Sequence, residues 1–219
     1  MALPADWLPN VPMRRVICHW TAGAYVAGET DIEAYHILIE GSGALVRGRP
    51  SIALNSGRVK SGYAAHTLNC NSGSIGVSLC CMADARERPF RAGRYPMTRT
   101  QWDALVVVVA ELCRYYKIKV TPRTVLSHAE VEDTLGIKQR GKWDYARLPF
   151  EPGVVGPRAC GDKLRREVSA AMGTVPNLPV RTGRDPPLKV LLDVFLPILV
   201  RGLVAGLETL VREILKRMK

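Results

Sequence analysis

Cys18-His19-Trp20-Thr21-Ala22-Gly23 closes a short apolar run near the start of the chain, and Ser127-His128-Ala129-Glu130 closes another far downstream. Lys142-Trp143-Asp144 follows soon after. Two histidines and one carboxylate can hold a zinc ion through three protein bonds and leave a fourth position open, and that open position separates a catalytic zinc from a structural one. If His19, His128 and Asp144 converge, the chain is a hydrolase built on a fold that brings strand ends together.

The flanking patterns say which fold. Arg15-Val16-Ile17-Cys18-His19-Trp20 reads as a strand ending at the first histidine. Thr30-Asp31-Ile32-Glu33 fits a capping box opening a short helix. Tyr35-His36-Ile37-Leu38-Ile39 reads as a strand, Gly41-Ser42-Gly43 as a turn, and Ala44-Leu45-Val46-Arg47 as its hairpin partner. Ser74-Ile75-Gly76-Val77-Ser78-Leu79-Cys80-Cys81 is apolar enough for a central strand. Thr98-Arg99-Thr100-Gln101 is a second capping box. The helix it opens buries one face through Trp102, Leu105, Val106, Val109, Leu112, Cys113 and Tyr116. Residues 120–126 predict a strand that delivers Ser127-His128. The expected class is α/β or α+β: a small mixed β-sheet flanked by helices.

Composition bounds the rest. A chain of 219 residues, 47% hydrophobic and 23% charged, is that of a folded globular protein long enough for one domain and an appendage. The net charge of +11 points to a polyanionic partner: nucleic acid, an anionic membrane face, or a cell wall rich in carboxylates and phosphates. The six cysteines show no CxxC spacing, which excludes a zinc ribbon or a thioredoxin-like site and suits reduced thiols. The first residues lack the basic and apolar regions of a secretory signal, so if the protein acts outside the cytoplasm, something else must let it out.

Three segments are expected. Residues 1–173 carry every candidate site. Residues 174–187 read as a linker, because four prolines and a glycine interrupt regular structure. Residues 188–219 form a basic amphipathic helical tail, with Leu191, Leu192, Phe195, Leu199, Leu203, Leu207 and Leu210 at three- and four-residue steps. Asp193, Arg201 and Glu208 break every window long enough to span a bilayer. Such a helix suits an anionic membrane surface; packing on the domain or on a second copy is the alternative.

The ordered set Ile17-Cys18-His19-Trp20-Thr21-Ala22-Gly23, Ala34-Tyr35-His36-Ile37-Leu38-Ile39, Ala65-His66, Ser74-Ile75-Gly76-Val77-Ser78-Leu79, Ser127-His128-Ala129-Glu130-Val131 and Lys142-Trp143-Asp144 resembles the type 2 N-acetylmuramoyl-L-alanine amidases over residues 14–147. This family of zinc amidases includes small phage lysozymes, muropeptide-recycling amidases and peptidoglycan recognition proteins. The resemblance implies Zn2+ held by His19, His128 and Asp144. It implies Tyr35 beside the reacting water, Lys142 at the scissile carbonyl, and His66 along the substrate groove.

Read from the residues themselves, Tyr35 could equally be a core aromatic and Lys142 a solvated lysine. Asp144 could cap a helix starting at Tyr145, with Glu130, Glu132 and Asp133 as fallback ligands. Residues 131–141 form a longer basic loop than in the compact phage enzymes, placing Lys138 and Arg140, with Trp20, around bound substrate. The expected substrate is peptidoglycan, cut between N-acetylmuramic acid and L-alanine by a phage or prophage endolysin. Nucleic acid is not an expected partner. A recycling amidase and a non-catalytic peptidoglycan-binding module with a membrane-active tail are the alternatives.

Overall fold

Side chains alternate across a strand, and in β1 (Arg15–Trp20) the alternation sorts two chemistries. Val16, Cys18 and Trp20 enter the main apolar core, while Ile17 joins a smaller cluster on the opposite face with Cys70, Leu126 and Val131. His19 follows the parity of Ile17. In the computed structural model, which describes residues 3–173, this sorting extends across a five-stranded sheet. The linker and tail expected at 174–187 and 188–219 lie outside the described residues.

The sheet contains β1, β2 (Ile37–Ile39), β3 (Leu45–Arg47), β4 (Ser74–Leu79) and β5 (Val125–Ser127), in the order β3-β2-β4-β1-β5. Only the β2–β3 hairpin is antiparallel. The expected mixed sheet with a central 74–79 strand is present. β5 begins later than expected because Thr121 and Thr124 close a turn around Pro122, with Val125 N–H donating to Thr121 O at 3.0 Å.

The core face of the sheet packs against α2 (Arg99–Tyr115). Its capping box forms as read: Gln101 N–H donates to Thr98 Oγ1 at 3.1 Å, and Thr98 N–H to Gln101 Oε1 at 3.2 Å. Burial extends beyond the expected stripe to Ala104, Val108 and Ala110. The reason is a second cover: the N-terminal arm, whose Leu3 N–H reaches Glu111 and whose Leu8 and Pro9 carbonyls accept from Tyr115 and Tyr116. Helix α4 (Pro157–Ala171) also packs on α2. Two shorter helices, α1 (Glu29–Ala34) and α3 (Val131–Leu135), complete the described part. Helix α1 is capped two residues before the expected Thr30: Gly28 is its N-cap, and Gly28 N–H donates to Asp31 Oδ2 at 3.0 Å.

The opposite face is polar and sculpted. In β4 the side chains there are Ser74, Gly76 and Ser78, all small, and they make room for rings from neighbouring segments. A Cβ on Gly76 would meet the His66 ring at 2.5 Å. Beside it lies His36, whose Nδ1 accepts from Gly76 N–H at 2.9 Å while Nε2 donates to Asn55 Oδ1 at 3.1 Å. Asn55 in turn donates to the Ala64 and Asn71 carbonyls, pinning the 55–73 segment over the sheet.

Two outcomes follow from this face. Gly76→Ala should destabilise the fold by about 1–3 kcal/mol through overpacking against His66, whereas Gly153→Ala, which meets nothing within 4 Å, should be near neutral in urea unfolding. Burial lowers the His36 pKa from its ordinary 6.5 to about 4, a hydrogen bond to Asn55 partly opposing it. Between those values the unfolded chain binds the proton and the folded one does not, so stability is lost as pH falls from 6.5 towards 4. The urea midpoint should therefore be lower at pH 5 than at pH 7; an equal or higher midpoint at pH 5 would contradict the buried neutral imidazole.

Candidate metal centre

Cys18 pairs in register with Ser127 across the parallel β1–β5 ladder. One residue beyond each of these partners, His19 and His128 are neighbours: their rings lie 4.6 Å apart, and their Nδ1 atoms 2.9 Å. Asp144 brings Oδ2 to 3.6 Å from His19 Nδ1 and 3.4 Å from His128 Nδ1. All three residues are buried, and they are the one His/Cys/Asp/Glu group among the described residues whose ligand atoms, within 4.8 Å of one another, could hold a metal ion.

The donor set fits zinc. Two bonds of about 2.0–2.1 Å at a tetrahedral angle set their donor atoms about 3.3 Å apart, close to the spacings found here. Electrostatics agree. Burial lowers the His19 pKa to about 4, against the raising effect of Asp144, so the ring is neutral and keeps a lone pair. Burial alone would raise the Asp144 pKa, but the close His128 and His19 rings outweigh it and hold the carboxyl well below the usual range. A neutral His19 imidazole and an ionised Asp144 carboxylate are protonation states that suit a divalent cation.

Each candidate ligand is held from behind. Residues His128–Glu130 form a 3-10 turn, so Glu130 does not share a face with His128. Instead Glu130 accepts from Ser127 N–H at 2.9 Å and forms a buried pair with Arg165 of α4 at 2.8 Å. That close crossing of α4 needs Gly161, where any Cβ would collide with the Glu130 carboxylate. Glu130 is therefore not a fallback ligand. Nor is Glu132, which accepts from Gln139 N–H at 2.9 Å, or Asp133, which is exposed.

Asp144 caps no helix: the chain after it turns, and the next helix is α4. What fixes it is a pair of aromatic neighbours. Trp143 packs edge-on to Trp20 at 4.7 Å, and Tyr145 stacks on the Trp20 indole at 5.8 Å while donating to His19 O at 2.9 Å. Tyr145, missed in the sequence, adopts a left-handed φ of 67°, a conformation that tight surroundings must enforce.

The centre opens into a groove of about 500 Å³ lined by Trp20, Tyr35, His66, Arg140 and Lys142, among others. Tyr35 sits with its ring 5.2 Å from that of His19, and burial together with the Asp144 charge raises its hydroxyl pKa. Lys142 is exposed on the rim, near enough for its charge to disfavour a proton on His19. His66 lines the groove but also backs the metal site, its Nδ1 3.1 Å from His19 Nε2. Lys138 points to solvent and is not among the lining residues. Gln139, passed over in the sequence between two basic residues, is buried and bonds His128 Nε2 at 2.9 Å. All six cysteines are free and buried.

The chain can now be set beside known proteins. It resembles, at the level of folded structure, the N-acetylmuramoyl-L-alanine amidase LysC from Clostridium intestinale URNW, with 16% identity over 77% of this chain and 91% of the other and a TM-score of 0.43. Staphylococcus aureus hydrolase AmiA gives 12% identity, 75% and 77% coverage, and a TM-score of 0.44. The Ph2119 endolysin of a Thermus scotoductus bacteriophage gives 17%, 62% and 83%, and 0.39. No curated protein matches the chain. The decisive match is to the family model for N-acetylmuramoyl-L-alanine amidase, Amidase_2, which runs over residues 9–146 and so takes in β1 to β5 and every residue of the centre. The chain belongs to the N-acetylmuramoyl-L-alanine amidase family and is an amide hydrolase of that kind.

Proposed function

We propose that this amidase is zinc-dependent, cleaves the bond between N-acetylmuramic acid and L-alanine in peptidoglycan, and serves as an endolysin. The observation that carries the reading is the convergence of His19 Nδ1, His128 Nδ1 and Asp144 Oδ2 at a groove that also holds Tyr35 and Lys142. A binding module without catalysis has no need of that complete set.

Zinc, when bound, supplies Lewis-acid polarisation of the amide and lowers the pKa of water. The remaining work falls to the chain. His19, His128 and Asp144 hold the ion on a preformed scaffold. Tyr35, kept protonated by burial, is a hydrogen-bond donor beside the ligands. Lys142 offers an ammonium where the carbonyl oxygen gains negative charge, stabilising the tetrahedral transition state more than the planar substrate. Arg140, among the groove-lining residues, suits the carboxylates of a stem peptide, and Trp20, though largely buried, forms part of the groove wall. Lys138, turned to solvent, would act at most through long-range attraction of the anionic wall.

The +11 net charge supports adsorption to a carboxylate-rich wall. The role of an endolysin released from the cytoplasm, and contact of residues 188–219 with an anionic membrane, extend this reading.

Digestion of purified sacculi followed by mass spectrometry should release stem peptides beginning with L-alanine; cut glycan strands carrying intact peptides would overturn the assignment. His128→Ala should abolish both stoichiometric zinc and lysis, and a variant that keeps either contradicts the ligand role. Lys142→Ala should retain zinc but lose about 10²–10³ in kcat, the scale of one oxyanion donor; an unchanged kcat would make Lys142 a solvated rim residue.

A further inference from the structure

Each ligand imidazole turns one nitrogen to the centre and one away, and the two outer nitrogens are governed from one short stretch of chain. His128 Nε2 lies 2.9 Å from Gln139 Oε1. The Gln139 amide nitrogen donates to Leu68 O at 2.9 Å and Ile137 O at 3.1 Å. Those two carbonyls can only accept, so the amide cannot be flipped: its NH2 must face them and its oxygen must face His128. An amide oxygen also only accepts, so His128 carries its proton on Nε2 and its lone pair on Nδ1.

The same logic runs on the His19 side. His66 Nε2 faces Ser74 O at 3.4 Å, an acceptor, which places the His66 proton there. His66 Nδ1 is then an acceptor 3.1 Å from His19 Nε2, with Thr67 Oγ1 a further partner at 3.3 Å. His19 thereby also carries its proton outward and its lone pair on Nδ1. His66, Thr67 and Leu68 are consecutive, so one segment sets both ligands, directly for His19 and through Gln139 for His128.

We propose that Gln139 is a positioning residue of the metal centre: clamped to Leu68, it locks His128 in the Nε2–H form so that Nδ1 is free to bind zinc. The inference rests on the zinc reading above. Partners of this kind typically change metal affinity by about 10–100-fold when removed. Glutamine is required rather than glutamate, because a carboxylate at this place would set an oxygen against the Leu68 and Ile137 carbonyls.

Nitrogen-15 NMR of the metal-free protein at neutral pH, together with zinc affinity measured by chelator competition, tests it. Wild type should show His128 protonated at Nε2 and bind one zinc. Gln139→Met, which keeps the length but removes the acceptor, should show mixed His128 tautomers and bind zinc about 10–100-fold more weakly. Gln139→Glu should not restore wild-type affinity. Wild-type spectra with the His128 proton on Nδ1 would overturn the proposal without any variant, as would Gln139→Met binding zinc as tightly as wild type. If wild type binds no zinc, the metal reading fails, while the tautomer spectra still report on Gln139 separately.

Discussion

The pairing of Cys18 with Ser127 in adjacent parallel strands is the constraint from which the site grows. Register in a sheet with one face buried is strongly specified, because a slip of one residue sends every side chain to the wrong face. Here a slip would drive His19 into the apolar core and pull Cys18 out of it. The hydrophobic core under α2 thus fixes the position of the two histidines on the opposite face of the sheet.

The second determinant is the polarity of the sheet's other face. A carboxylate and several imidazoles buried together are costly unless each is bonded. The structure meets that requirement in layers: Asp144 faces the inner nitrogens of His19 and His128, while Gln139, His66 and Thr67 take the outer ones. The small residues of β4 give these rings their space, and the buried Arg165–Glu130 pair holds the turn that carries His128. The ionised Asp144 carboxylate gives the site a negative charge that favours uptake of a divalent cation.

Much of this was legible in the sequence because the signals were local. The strand before His19, the central strand at Ser74 and the Thr98–Gln101 box rest on period and capping, and all appear where expected. The ligand trio was read from residue type and order. Elements that depend on contacts across the fold were not legible. Helix α4 escaped notice although Gly156-Pro157 marks its start, and Arg165 within it finds its meaning only against Glu130. Glu130 stood as a fallback ligand two residues from His128, but the 3-10 turn carries it to Arg165 instead. The helix cap that was the alternative reading of Asp144 does not form, since no helix starts at Tyr145, and Trp20, Trp143 and Tyr145 surround its segment instead. Gln139 was hidden by two charged neighbours, since its role exists only when Leu68 is brought beside it.

The central claim is that His19, His128 and Asp144 form one zinc site through Nδ1, Nδ1 and a carboxylate oxygen. Anomalous diffraction at the zinc edge from crystals of the purified protein tests it most directly. The account predicts a single strong peak bonded to those three atoms and facing the groove. No peak there, a peak elsewhere, or histidine ligation through Nε2 would contradict it.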